Sequence, residues 1–452
     1  MSVDTVSLTG WGRTAPTTAV RFRPRSYEEA AATVRGCGPR GSIARGLGRA
    51  HGDAAQNAGG SVLDMTALNR IRTIDAGAGL VVCDAGVSLH RLMEVLLPLG
   101  WFVPVTPDSR YVTVGGAIGS DVHGRNHRTA GSFSRHVAGF DLLTADGEVR
   151  TVRPGTPLFD ATAGGMGLTG VILSATLRLL PVATSLMSVD TERAADLDDL
   201  LARLTVGSRS RYESAWIDLT SRGRATGRAV LTRGEHAPLD ALPAHARRTP
   251  LTFRPSQLPA ARSLVPDLVP GGRIGRTSAA VLAELRYRRA PRFRTGELQR
   301  ISAFFHPLDA VPHWNRIHGR AGFVNYEFVV GDGQEETLYR IVRQISQRRC
   351  PSFLAVLKRF GAPDPGWLSF PVPGWSLALD LPAALPGLAR FLDGLDEEVA
   401  AAGGRVCLTD DSRLRPDAVA AMYPRLDEFR ALRAELDPNG AFRSDLSRRL
   451  SL

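Results

Sequence analysis

Apolar positions along this chain follow two periods, and each predicts elements where it holds. Helical spacing opens at Ser26-Tyr27-Glu28-Glu29-Ala30-Ala31-Ala32-Thr33-Val34, where Ser26 and Glu29 stand three residues apart as in a capping box. It recurs from Leu89 to Leu99, from Leu197 to Leu204 and from Leu388 to Ala401. Short β-branched and apolar runs predict strands at Ser42-Ile43-Ala44, Ser61 to Met65, Leu80 to Ala85, Ala215 to Leu219, Phe323 to Val330 and Ser376 to Leu381. The alanine-rich helix should pack against the strand that begins at Ser42, giving a βαβ-like opening.

Glycine interrupts this pattern three times. Ser42-Ile43-Ala44 runs into Gly46-Leu47-Gly48-Arg49, where Gly46 and Gly48 allow positive φ and close backbone approach. The loop amides can then converge into an anion-binding nest, with Arg49 adding charge. A plain glycine-rich turn is the alternative. Val112-Thr113-Val114-Gly115-Gly116 predicts a second strand followed by glycine, turning polar at His123, after Pro104 and Pro107 mark a turn. Gly164-Gly165-Met166-Gly167-Leu168-Thr169-Gly170 makes a third glycine segment, ahead of Val171-Ile172. Three such loops suggest one extended ligand carrying a diphosphate. Neither a P-loop nor GxGxxG opening a βαβ unit is present, which argues against Walker and Rossmann sites.

Composition changes this picture little. The 452 residues are 43% apolar, enough for two domains. A net charge of +11 raises nucleic acid as a partner, but the charge is almost all arginine, scattered without a dense block, so nucleic acid is not expected. Cys37, Cys83, Cys350 and Cys407 have no metal-like spacing, which predicts reduced thiols and no metal site. With no secretory signal and no long apolar run, a soluble, cytoplasmic protein is expected. No internal repeat is evident.

The motifs GLGRxxGD, VTVGGAIxxDxHGxNH, GGxGLTGxI and the tail SDLSRRL resemble the actinobacterial decaprenylphosphoryl-ribose 2′-oxidase family, within the vanillyl-alcohol-oxidase type of flavoprotein. The resemblance spans nearly the whole chain. It implies an α+β, two-domain PCMH-type FAD-binding fold with a second α+β substrate (cap) domain built on an antiparallel sheet. Residues 1–184 are then the FAD-binding domain, 185–404 the substrate domain, and 405–452 a segment returning to the first, anchored by Leu446, Leu450 and Leu452. A Pro- and Arg-rich region, about Ala237 to Arg276, is expected over the site. For FAD contacts the resemblance implies Ala44, Arg45, Gly46, Leu47, Gly48, Arg49, Ala50, His51, Gly52 and Asp53 in the first loop. It adds Thr113, Val114, Gly115, Gly116, Ser120, Asp121, Val122 and His123 in the second, with Ile172 and Cys407.

Oxidising a carbinol with a flavin requires a base for the hydroxyl proton. His123 matches the family's flavin-facing histidine, with plain hydrogen bonding beside the cofactor as the alternative. Lys358, the chain's one lysine, matches a lysine that points into the substrate cavity; a surface lysine is the alternative. Three positions depart from the family. Asp410 stands where a lysine is expected, Glu327 where a glutamine is, and Asn325 replaces another residue. Asp410 becomes a candidate base, and the added acids disfavour a phosphate-linked substrate. On the strand Ser376 to Leu381, Ser376 replaces an asparagine and Ala378 a cysteine that nitroaromatic inhibitors modify in mycobacterial members. Trp216, Trp314 and Trp375 are expected in the core. His51 stands where the lipid-sugar oxidases carry tyrosine, and it raises covalent attachment to the flavin as an alternative to a hydrogen-bonding role.

The expected function is FAD-dependent oxidation of a secondary alcohol in a sugar, sugar derivative or nucleoside, with O2 or a redox partner as electron acceptor and peripheral membrane contact allowed. The alternatives are a polyprenyl-phosphoryl pentose 2′-oxidase and a non-catalytic flavin- or ligand-binding protein.

Overall fold

The computed structural model describes residues 1–206, 210–253, 275–352 and 354–452. Two units of mixed helix and sheet meet at one cavity. In the first unit, a four-stranded sheet runs Ser2–Leu8, Thr17–Arg23, Ser61–Asp64, Ser42–Arg45, antiparallel in its opening hairpin and parallel in its other two pairings. A five-stranded antiparallel sheet lies beside it in the order Ile71–Asp75, Leu80–Asp84, Val171–Arg178, Val137–Leu143, Val149–Val152.

The second unit is an eight-stranded antiparallel sheet: Phe293–Arg300, Leu186–Ala194, Ala229–His236, Tyr212–Ile217, Ala355–Phe360, Gly374–Pro382, Phe323–Gly331, Arg405–Val406. Its strands alternate. Tyr326, Phe328, Leu377 and Leu379 join the helices Glu335–Arg348 and Leu388–Ala401 in a core, while Asn325, Glu327, Ala378 and Lys358 take the opposite face. The α+β architecture, with a second unit built on an antiparallel sheet, is the arrangement expected.

Local structure corrects several expectations. The helix is Tyr27–Arg35 and Ser26 caps it by accepting from Glu29 N, but Glu29 turns away and accepts from Arg25 N at 2.9 Å, so the box is not reciprocal. The second glycine segment is no strand: Thr113 is the N-cap of a short helix, Val114–Gly119, its hydroxyl accepting from Gly116 N. The reason is geometric. Two consecutive glycines after a capping threonine let the chain turn tightly past Ala85, whose Cβ would lie 2.9 Å from any Cβ on Gly115. The third glycine segment leads into the strand Val171–Arg178, as its sequence order has it. Of the Pro- and Arg-rich region, residues 254–274 lie outside the described residues; Leu251 and Phe253 pack against the first unit's core. No helix among the described residues is long and apolar enough to cross a membrane.

The chain's end binds to the first unit. Ser444 caps the helix Asp445–Leu450 in a reciprocal box with Ser447. Leu446, Leu450 and Leu452 are buried in one core with Ile43 and Val62.

Candidate active site

A cavity of about 290 Å³ runs between the units. Its first wall is the loop after the strand Ser42–Arg45, with Ala44 through His51 all lining it. Among the described residues, the backbone N–H groups of Leu47 through His51 donate to no protein acceptor. Five successive free donors beside a guanidinium offer what an anion nest needs. Gly48 supplies the left-handed turn, φ +66°, whereas Gly46 is needed for close approach: a Cβ there would stand 2.2 Å from Thr113 Oγ1. Arg49 lies over Trp11, 3.8 Å from the ring centroid, and its buried Nε has no partner.

The second wall is flat. Gly115, Gly116, Gly119 and Ser120 present little side chain, and Thr113, Val122, His123 and Ile172 complete it. The nest and this smooth surface fit a dinucleotide cofactor with a planar ring, the diphosphate on the first loop and the ring along the second.

The third wall comes from the eight-stranded sheet and carries the charge. Glu327 Oε1 accepts from His123 Nε2 at 3.0 Å and Ser376 Oγ at 3.0 Å, with Lys358 Nζ at 3.9 Å. Burial pushes Glu327 upward, but His123 and Lys358 outweigh it and hold the carboxyl well below its ordinary range. Lys358 also pairs with Asp108 at 3.8 Å, and Arg125 stands 3.7 Å from the same carboxylate. Burial lowers Lys358, yet Asp108 and Glu327 carry it above its usual value, so it stays an ammonium. On the far side His51 Nδ1 meets Asp410 Oδ1 at 2.5 Å. Burial opposes charge on that ring, but Asp410, with Asp380 and Glu327 behind it, raises its proton affinity. Asn325 donates to Asp380 at 2.7 Å, and burial lifts Asp380 to about 7. The carboxylates of Glu327 and Asp410 and the Cys407 thiol lie within 4.8 Å of one another.

Asp410, His123, Lys358, Glu327, Asn325 and Ala378 thus share one cavity with most of the expected cofactor residues. Five of the expected residues do not line it. Gly52 packs on the Asp411 carbonyl, 1.6 Å from where its Cβ would be. Asp53 turns to Arg449, 2.7 Å away. Val114 is in the apolar core, and Asp121 is spent on Ser134 N and Ser369 Oγ. Ser376 reaches the site only through Glu327. Cys407 does line the cavity, but burial holds its thiol well above its ordinary value, so it stays protonated. Trp216 and Trp375 are buried as expected, whereas Trp314 faces the cavity.

Sequence reasoning missed Asp108, Arg125, Asp380 and Trp11. Arg125 sat inside the HGxNH motif, and Asp108 follows Pro107 at the turn already marked. Asp380 follows Ser376 and Ala378 by strand alternation, a signal that was present and unused.

Residues 18–153 match the FAD binding domain family. The chain is 54% identical over 372 residues to an uncharacterised protein of Streptomyces coelicolor, covering 81% of this chain and 100% of that one. It is 45% identical over 464 residues to the decaprenylphosphoryl-β-D-ribose oxidase of Mycolicibacterium smegmatis, covering 99% and 98% of the two chains. To an alditol oxidase of a Streptomyces species it is 26% identical over 457 residues, covering 98% and 99%. Together with a nest for a diphosphate and a flat wall for a ring, these likenesses establish that the chain belongs to the decaprenylphosphoryl-β-D-ribose oxidase family, as an FAD-dependent oxidoreductase acting on CH–OH groups.

Proposed function

We propose that the protein oxidises a secondary alcohol of a neutral or cationic sugar-like molecule, such as a polyol, an aminosugar or a nucleoside, to the ketone. Bound FAD supplies a two-electron sink that takes the carbinol hydride. The chain's residues do the rest. Amides Leu47 to His51 and Arg49 hold the diphosphate, and Gly115, Gly116 and Ser120 lie along the ring. His123, Lys358 and Glu327 form a locked charge network that orients hydroxyls, and the His51–Asp410 pair receives the hydroxyl proton. Residues 185–404 serve as the substrate domain, with Asn325 and Ala378 on its substrate-facing strands and 405–452 returning to the FAD-binding domain.

The observation that carries the substrate class is the acidic third wall. Asp410 puts an anion where the family pattern has a cation, and Glu327 adds a carboxylate where it has a neutral amide. Both changes oppose an anionic group beside the reacting carbon. A second reading, oxidation of a polyprenyl-phosphoryl pentose, is favoured by the 45% identity to the mycobacterial enzyme. Under it, the chain would touch a membrane surface to reach its lipid. We place the protein in the cytoplasm, with O2 or a redox partner taking the electrons.

Anaerobic mixing with a substrate panel separates the readings. Bleaching of the flavin by a polyol, aminosugar or nucleoside, and none by the lipid-linked pentose, is the expected result. Bleaching by the lipid alone would establish the second reading, and no bleaching by any member would leave a flavin-binding protein without this chemistry. Return of colour on admitting air identifies O2 as a competent acceptor.

A further inference from the structure

Two departures from the family pattern, histidine for tyrosine at 51 and aspartate for lysine at 410, are 359 positions apart in sequence and touch in the fold at 2.5 Å. They are one change. We propose that His51 is the catalytic base, accepting the substrate hydroxyl proton on Nε2, and that Asp410 is the positioning residue that holds Nδ1–H and sets the ring's tautomer. This divides the labour within the pair named above and rests on the alcohol-oxidation reading.

The ring is oriented from two sides. Asp410 takes Nδ1, and Phe323 packs edge-on with centroids 5.6 Å apart. The backbone is fixed as well: Gly12 N donates to the His51 carbonyl at 3.1 Å, and Gly52 N reaches Thr409 O, next to Asp410. That leaves Nε2, which has no hydrogen-bond partner among the described residues, on the cavity that His51 lines. An imidazole with one nitrogen on a carboxylate and the other free is the geometry of a directed base. His123, whose Nε2 is held by Glu327, is the competing candidate, and an acid limb kept in His51→Gln would assign the base to it. Lys358 cannot serve, since its two carboxylate neighbours keep it protonated.

The step balances. The hydroxyl O–H bond breaks, its proton forms the imidazolium N–H, and the electron pair left on oxygen becomes the second C=O bond as the carbinol hydride leaves for the flavin. The charged ring then stands against the Asp410 carboxylate, and its proton returns to water.

The groups acting on His51 fix the pH signature. Asp410, Asp380 and Glu327 face it and favour the imidazolium, while burial opposes it; Lys358 and the Cys407 thiol lie near Asp410. A base must be neutral to act, so flavin reduction should fall on the acid side, at a pH above that of an ordinary histidine.

Two measurements test the assignment. In protein carrying 13C-labelled histidine and no substrate, one resonance lost in His51→Gln should titrate above an ordinary histidine in the wild type and below the wild-type value in Asp410→Asn. In anaerobic reduction by the substrate found in the panel, His51→Gln should be slowed by roughly 10² or more and lose the acid limb. Asp410→Asn should keep the limb but shift it to lower pH, and Asp410→Glu should restore it. A resonance titrating at the ordinary value, or a limb lost in Asp410→Asn and kept in His51→Gln, overturns the assignment. The titration needs no substrate, so it can fail while the proposed reaction stands. If His51→Gln loses its flavin, the Asp410 variants and the titration still decide.

Discussion

Among the charged side chains around the cavity, Asp380 has a measurable consequence for stability. Its one described hydrogen bond comes from the Asn325 amide, and burial lifts its proton affinity to about 7. In the unfolded chain the same group takes its proton near 4, so the folded state binds the proton more tightly. Stability from this position therefore falls as pH climbs from about 4 toward 7, and the penalty is complete above 7. Asp380→Asn keeps an oxygen for the Asn325 amide and removes the charge. We expect its melting temperature to exceed wild type by ~2–4 °C at pH 8, with a smaller gain at pH 5. An equal gain at both values would mean that the charge is not the cause. At residue scale, too, the covalent alternative for His51 can be checked. Covalent attachment and a free Nε2 exclude each other, so after acid precipitation we expect all yellow colour in the supernatant and no mass increment on the protein; a heavier, yellow pellet would assign Nε2 to the flavin. Asp410 and Glu327 were visible in sequence because they broke a motif. Their partners were not, since nothing local links His51 to Asp410 or His123 to Glu327.

The two glycine loops meet at the cavity by close approach of backbone. The first loop approaches the second so closely that a Cβ on Gly46 would stand 2.2 Å from Thr113 Oγ1, and the short helix Val114–Gly119 begins from that same threonine. A side chain at Gly116, on the cavity wall, would meet the capping hydroxyl at 3.1 Å and fill the surface proposed for the ring. Gly116→Leu is therefore expected to abolish flavin retention while leaving far-ultraviolet circular dichroism unchanged. Retained flavin would remove the second loop from the cofactor site. Strong apolar patterning made the long elements legible: Leu388–Ala401 begins and ends where the apolar spacing does, and the strand Phe323–Gly331 covers the whole of its β-branched and aromatic run. Val112-Thr113-Val114 misled because β-branched residues favour strands, while here a threonine cap and two glycines after it decide for a helix start. Glu29 had two other donors within reach, Arg25 N and the chain's amino terminus, and so left the capping box open.

At the scale of the whole molecule, the site depends on the chain's last residues. Asp53 and Gly52 follow directly on the proposed base, and Asp411 follows Asp410, so whatever fixes Asp53 and Asp411 also fixes the dyad. That group is Arg449, at 2.7 Å from Asp53 and 2.8 Å from Asp411. The tail adds Asp445, which accepts from Thr17 Oγ1 at 3.0 Å and Ala58 N at 2.9 Å. From sequence, Asp53 read as a cofactor residue because it sits inside the first loop's motif; its partner lies 396 positions away, beyond any local signal. Arg449→Met keeps most of the side chain's volume and deletes the charge, leaving two buried carboxylates facing each other. Breaking such a pair from one side costs about 3 kcal/mol. Asp53 already has its proton affinity raised, burial being the main cause, and without the guanidinium it would rise further. The loss should therefore be larger at pH 8, where both acids are charged, than at pH 5. We expect a lower melting temperature with that pH dependence, together with slower flavin reduction at unchanged flavin content, because the dyad moves while the loop proposed to hold the diphosphate, with the amides of Leu47 to His51, remains. A uniform destabilisation at both pH values, with reduction unaffected, would separate the tail from the site.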